Sequence, residues 1–182
     1  MSHDIKTGRF ITMLLRHKPP RSMDSNGWVP VGTIINLVNE QRNLGWNGEF
    51  KLNDLENIVK TNDKKRYVLD ESKEHIRASQ GHTIDVDVEL KQVVPPEILY
   101  HGTALQSVEI IKKQGLNKMK RNHVHMTANH DTAVKVGSRH GKPFIFKVLA
   151  KKMHDEGFIF YLSENGVWLT EVVLPQYLEE NI

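Results

Sequence analysis

Thr83-Ile84-Asp85-Val86-Asp87-Val88-Glu89-Leu90-Lys91-Gln92-Val93-Val94-Pro95-Pro96 decides how this chain is divided. Ile84, Val86, Val88 and Leu90 alternate with Asp85, Asp87 and Glu89, the period-2 pattern of a strand with one buried face. Two prolines then favour an extended connector, because each ring fixes φ and restricts the residue before it. The domain boundary is placed there, giving lobes of residues 1–92 and 93–182.

Upstream, helices precede strands. Asp4 is a helix cap ahead of an apolar stripe of Ile5, Phe10, Leu14 and Leu15, which Pro19-Pro20 stops. Asp24-Ser25-Asn26-Gly27 reads as a turn leading through Trp28 into a second helix with Ile34, Ile35, Leu37 and Val38. A third helix starts near Asn53 and presents Leu55, Ile58 and Val59. Residues 66–69 and 75–78 read as strands across a turn at Asp70-Glu71. Three helices and a small ribbon suggest a winged-helix module.

Downstream, strand 98–102 meets a helix capped by Thr103, with Leu105, Val108 and Ile111 inward and Gly115 as C-cap. Strands are expected at 123–127, 143–150, 158–162 and 167–174, with a helix from Asn129 to Arg139. They predict one sheet of about five strands. Asn165-Gly166 is a hairpin turn. The fold class expected is α+β, in two lobes.

Composition narrows the chemistry. With 182 residues, 38% hydrophobic and 26% charged, the chain is a folded protein rather than a disordered one. It has no cysteine, which excludes disulfides, zinc–thiolate sites and thiol nucleophiles. No apolar run is long enough to span a bilayer and the opening is unlike a signal peptide, so a soluble cytoplasmic protein is expected. The net charge of +3 hides a polarised chain: residues 112–152 carry 11 Lys and Arg against Asp131 alone, whereas residues 153–182 carry six acids and no Lys or Arg. Such a basic block attracts phosphates; a solvated face neutralised by the acidic tail accounts for the same pattern.

Several short strings carry chemistry-bearing residues. Arg16-His17 ends the first helix, where the dipole also favours cations. Arg77 lies in a strand-like run. Gln80-Gly81-His82-Thr83 offers donors to a phosphate, or a simple β-turn. In Tyr100-His101-Gly102-Thr103, a neutral imidazole is suited to ribose hydroxyls and glycine to close backbone approach. His123 and His125 share a strand face, yet no third metal ligand is evident. Ser138-Arg139-His140-Gly141-Lys142-Pro143 suits an anion, and Glu164 sits in a turn. Dinucleotide-binding, P-loop and nucleophile-elbow patterns are missing.

Taken in order, Leu15-Arg16-His17-Lys18-Pro19, Asp24-Ser25-Asn26-Gly27-Trp28, Lys65-Arg66-Tyr67, Ile76-Arg77-Ala78-Ser79-Gln80-Gly81-His82, Leu99-Tyr100-His101-Gly102-Thr103, His123-Val124-His125, Arg139-His140-Gly141-Lys142-Pro143 and Ser163-Glu164-Asn165-Gly166-Val167-Trp168-Leu169-Thr170 resemble the RNA 2′-phosphotransferase (KptA-type) family, from about Phe10 to Tyr177. The resemblance implies a winged-helix RNA-binding lobe and an ADP-ribosyltransferase-like NAD-binding lobe. It implies removal of an internal RNA 2′-phosphate, of the kind left by some RNA ligation pathways such as those of tRNA splicing. In that family the 2′-phosphate attacks C1″ of NAD⁺ and expels nicotinamide, and O2″ then attacks the phosphorus. The products are 2′-OH RNA and ADP-ribose 1″,2″-cyclic phosphate. The catalytic set implied is Arg16, His17, Arg77 and Arg139, and the NAD-binding set is His101, Gly102, Thr103, His125 and Val167, with no metal.

Val167 stands where many ADP-ribosyltransferases carry a Glu, an absence that an anionic nucleophile makes understandable. The loop at Pro20–Asp24 is shorter than the family's usual one, and Thr83, Met126 and Thr127 replace commoner Ser, Leu and Ser. The chain is expected to act as a monomer. Two competing readings are an enzyme that ADP-ribosylates terminal nucleic-acid phosphates and a non-catalytic winged-helix module that only binds nucleic acid.

Overall fold

A computed structural model describes residues 3–46, 48–62 and 64–180, which form a mixed α/β structure of short helices and small sheets. The chain divides into two compact units, Met1–Glu89 and Leu90–Ile182. Each unit has its own apolar core.

The first unit contains α1 (His3–Arg16), β1 (Val29–Pro30), α2 (Val31–Asn39), a 3₁₀ turn (Arg42–Leu44), α3 (Leu52–Lys60), β2 (Tyr67–Leu69) and β3 (His75–Ala78). Asp4 falls inside the first turn of α1, where its carboxylate meets the positive end of the helix rather than capping it. The buried face of α1 is Thr7, Ile11, Leu14 and Leu15; Ile5, expected in that stripe, is exposed. At the other end the N–H groups of His17 and Lys18 both donate to Met13 O at 3.0 Å, closing the helix before Pro19-Pro20. The start of α3 is held by Asp54, whose carboxylate accepts from Lys51 N at 2.8 Å. Ile11, Leu15, Ile34, Phe50, Leu55, Tyr67 and Ile76 make the core of this unit.

β3 is the central strand, with β1 and β2 antiparallel on its two sides. Asp70 builds the β2–β3 turn by accepting from Glu74 N at 2.9 Å and His75 N at 3.1 Å. Tyr67 reaches under α1: a Cβ on Gly8 would lie 2.9 Å from its hydroxyl, so the glycine sets how closely helix and strand approach.

The expected strand over 83–90 does not form. Its alternation is real as burial, with Ile84, Val86, Val88 and Leu90 half-buried and the residues between them exposed. No described ladder includes the segment; the bonds seen along it are scattered, among them Thr83 N to Arg16 O and Asp87 N to Ser25 O, both at 3.0 Å. Period 2 reports which side chains face inward; a sheet also needs a neighbouring edge in register.

The second unit runs β4 (Leu99–Ala104), a 3₁₀ turn (Leu105–Ser107), α4 (Val108–Gln114), β5 (Leu116–Asn117), β6 (Val124–Met126), α5 (His130–Gly137), a 3₁₀ turn (Ser138–His140), β7 (Pro143–Val148), α6 (Ala150–Asp155), β8 (Tyr161–Leu162), β9 (Trp168–Thr170), β10 (Val172–Val173), a 3₁₀ turn (Pro175–Tyr177) and β11 (Leu178–Glu180). Its core is built from Leu99, Leu116, Val124, Val148, Met153, Phe160, Val173 and Tyr177.

The single sheet expected is instead three small ones: β11–β7–β4, β6–β9–β8 and the pair β10–β5. A bridge between Tyr100 and Thr127 links the first two. The long strand read over 167–174 breaks at exposed Glu171, after which Val172 and Val173 pair with Asn117 and Leu116. The strand read over 158–162 shrinks because Phe158 N closes α6 on Met153 O and Phe160 O accepts from Val93 N. Thr103 is not a helix cap. It lies in β4 opposite Phe144, and α4 begins only at Val108, leaving Leu105 48% exposed rather than inward. Gly115 does end α4, with φ 76°. The Asn165-Gly166 turn joins β8 to β9, as expected.

Candidate active site

Three of the four cationic residues singled out come from the first unit. Arg16 is the last residue of α1 and His17 the first beyond it. Arg77 points from β3 and is 12% exposed. Its guanidinium lies over the Trp28 ring at 4.4 Å from the centroid, and Nη1 donates to Glu89 Oε2 at 3.2 Å. Arg16 Nη2 donates to Arg66 O at 3.4 Å. Thr83 ties the helix end together: its N–H donates to Arg16 O at 3.0 Å, and its hydroxyl oxygen lies 3.0 Å from His17 Nδ1. The Thr83 hydroxyl also lies 3.4 Å from Arg16 O, so this one residue spans both members of the pair.

His82 marks where these groups converge. The residue is 2% exposed, and its Nε2 has no hydrogen-bond partner among the described residues. Burial, followed by the charges of Arg16, His17 and Arg77, lowers its pKa to about 4. The imidazole is therefore neutral at neutral pH, inside a field set by three cationic side chains. Gly27 closes its other side, since a Cβ there would lie 3.8 Å from Nε2. The sequence offered His82 either as a phosphate donor or as part of a simple turn; the structure makes it a buried, uncharged group.

Arg139 belongs to the second unit. α5 starts with Asn129 accepting from Thr132 N at 2.8 Å and ends at Gly137, and Arg139 sits exposed in the following turn. The close approach of α5 to β4 places it there. A Cβ on Gly102 would meet Ala133 O at 1.8 Å, and one on Gly137 would meet Thr103 O at 2.8 Å. Gly102 thus has a packing role that its sequence context did not reveal.

The other residues singled out in this unit lie along β4, β6 and the β8–β9 hairpin. His101 Nδ1 donates to His125 O at 2.9 Å, and burial lowers the His101 pKa. A neutral ring with Nδ1 donating leaves Nε2 as an acceptor, which fits a ribose hydroxyl. Arg121 Nη1 donates to His125 Nδ1 at 3.1 Å, a contact that sequence reading missed. Val167 is held by the hairpin turn, its N–H donating to Ser163 Oγ at 3.1 Å and its carbonyl accepting from Ser163 N at 3.0 Å. Glu164 is exposed in that turn.

His123 packs edge-on against Tyr161 at 5.5 Å, and burial lowers its pKa. Among the described residues no group of three or more His, Asp or Glu is arranged to hold a metal ion. None of the described helices is long and apolar enough to cross a membrane. Of the basic block, Lys112 pairs with Glu109 and Glu180, Lys118 with Glu171 and Lys151 with Asp155, so part of it is neutralised by acids, among them tail residues.

Residues 2–172 match the model of the RNA 2′-phosphotransferase, Tpt1 / KptA family. A protein of Fusobacterium nucleatum named probable RNA 2′-phosphotransferase is 46% identical over 183 residues, covering 98% of this chain and 99% of its own length. Proteins of the same name from Flavobacterium johnsoniae and Hahella chejuensis are 45% and 47% identical, covering 94% and 93% of this chain and 93% and 90% of their own. A match spanning nearly the whole chain places the protein in the RNA 2′-phosphotransferase family.

Proposed function

We propose that this protein removes an internal 2′-phosphate from RNA, using NAD⁺ as a consumed co-substrate. The observation that carries the reading is the family match over residues 2–172, in a chain whose Arg16 and His17 are tied together by Thr83, next to buried His82. NAD⁺ supplies the ribosyl C1″ that accepts the phosphate and the O2″ that later takes it, so the products are 2′-OH RNA, ADP-ribose 1″,2″-cyclic phosphate and nicotinamide.

The residues do what that chemistry needs. A phosphate is already an anion, so the first step calls for positioning more than for a general base. Two guanidiniums and an imidazole suit that task. In the second step charge crowds onto phosphorus, where forked guanidinium donors such as those of Arg77 stabilise the oxygens, a role the family resemblance alone extends to Arg139. His17, with Nδ1 held by Thr83, presents Nε2 to move a proton between the attacking hydroxyl and the departing RNA oxygen. His101 Nε2, backed by the His125 carbonyl, accepts from a ribose hydroxyl, and Gly102, Thr103, His125 and Val167 complete the NAD⁺ site.

We read the first unit as a winged helix on its order of helix, strand, two helices and two strands, with β3 central. The second we read as an ADP-ribosyltransferase-like lobe. The test is an RNA carrying one internal 2′-phosphate, incubated with and without NAD⁺. Phosphate loss with NAD⁺ alone is expected. No loss overturns the reading, and transfer of ADP-ribose to terminal phosphates alone replaces it with phosphate capping.

A further inference from the structure

Trp28 is tied down on its backbone and presents its ring to Arg77. The Asp24–Gly27 turn locks the main chain: Asp24 Oδ1 accepts from Asn26 N at 2.9 Å and Trp28 N at 2.8 Å, and Asp24 N donates to Trp28 O at 3.0 Å. Gly27 has φ 79°, a conformation that glycine adopts without strain. Register does the rest. β1 and β3 pair Val29 with Ile76 and Pro30 with His75, so the next position along that register sets Trp28 opposite Arg77. The ring meets the guanidinium at 4.4 Å because the two are cross-strand neighbours.

Trp28 and Glu89 hold Arg77 unequally. Glu89 reaches Nη1 from a side chain that is 63% exposed, in a segment that makes only isolated backbone bonds. An ion pair so open to water holds weakly, and a phosphate dianion outcompetes a carboxylate for the same donor. The stacked face is different. It leaves the guanidinium edge, with its N–H donors, directed away from the ring, and it stays in place when an anion takes the Glu89 position. Resting on the reading of Arg77 as a catalytic group, we infer that Trp28 is its positioning residue: the indole face aims the guanidinium at the RNA phosphate through cation–π contact, and Glu89 yields its place to that phosphate.

The test separates electronic positioning from bulk. Tryptophan at position 28 is replaced site-specifically by mono-, di- and trifluorotryptophan, which keep the ring's shape and progressively weaken its negative face. In single-turnover reactions with 2′-phosphorylated RNA and NAD⁺, the rate is expected to fall stepwise with fluorination, to about tenfold at the end of the series. Trp28→Leu is expected to lose at least as much in rate and Trp28→Phe to restore most of it, with KM for RNA changed less than about threefold. A rate flat across the fluorinated series, or Trp28→Phe as impaired as Trp28→Leu, overturns the inference.

A second readout needs no turnover. Arg77 side-chain N–H signals, followed by NMR in uniformly labelled protein, are expected to show an upfield ring-current shift in the wild type and to respond to inorganic phosphate. Both features are expected to weaken along the fluorinated series, and an Arg77 response to phosphate that ignores the substitutions contradicts the inference. If the wild type leaves the 2′-phosphate untouched, the proposed activity falls, while this measurement still decides whether Trp28 aims Arg77 at an anion.

Discussion

The two units hold their candidate residues by different means. In the first, side chains grip side chains: Arg77 lies between Trp28 and Glu89, and His17 meets the Thr83 hydroxyl. In the second, apart from the Arg121–His125 side-chain contact, most of the holding involves the main chain. His101 donates to the His125 carbonyl, Ser163 fixes both backbone groups of Val167, and α5 reaches its position because Gly102 and Gly137 carry no side chain. The difference teaches where each unit is vulnerable. Conservative side-chain changes should be felt as lost chemistry in the first unit, and added atoms at glycine as lost structure in the second.

The largest effect is expected at that glycine contact. Gly102→Ala puts a methyl 1.8 Å from a helix carbonyl, which no rotamer change relieves. A destabilisation above about 4 kcal/mol is expected, read by chemical denaturation of the second unit. Next come the cations: Arg77→Ala and Arg139→Ala should slow single-turnover phosphate transfer by about 10²–10³ while circular dichroism stays unchanged. Near-normal rates in either variant would remove that arginine from the reaction.

Acid sensitivity sharpens the comparison. His82 is neutral in the folded state with a pKa of about 4, against an ordinary value of 6.5, so below 6.5 the unfolded chain binds the extra proton. Stability of the first unit should therefore fall as pH drops from about 6.5 towards 4 and level off below. His82→Gln should flatten that slope in denaturation curves taken at several pH values. In the second unit His101 and His123 are lowered too, both by burial, so its stability falls in the same direction as pH drops below 6.5. A smaller loss is expected for Tyr67→Phe, which removes a hydroxyl that accepts from Asn62 Nδ2 at 3.1 Å under α1. It should cost about 1 kcal/mol, measured by denaturant midpoint.

Much of this was legible in the sequence where a pattern is local. The stripe of α1, the Asp70 turn and the Asn165-Gly166 hairpin follow from periodicity and turn chemistry. What escaped depends on residues far apart in the chain. Thr103 reads as a cap because it precedes an apolar run; only pairing with Phe144 and Ile145 of β7, far along the chain, shows that Gly102 and Thr103 belong to a strand. The 83–90 alternation foretold which side chains turn inward, but no described strand pairs with the segment. Arg16, His17, Arg77 and Arg139 were given their expected roles by resemblance to a family, whereas Trp28, quoted in one of the same motifs, and Glu89 were given none. The partnership of Trp28 with Arg77 follows from the register of a two-residue strand, too short to leave a period in the sequence, and that of Glu89 from a segment outside any strand.

The most direct test follows the phosphorus itself. An RNA labelled with ³²P in a single internal 2′-phosphate is mixed with excess protein and NAD⁺, and the label is tracked through time. The account predicts that it passes from RNA, through an RNA-linked species, into ADP-ribose 1″,2″-cyclic phosphate, with the 2′-hydroxyl left on the RNA. Label that stays on the RNA, or leaves as inorganic phosphate independently of NAD⁺, would contradict it.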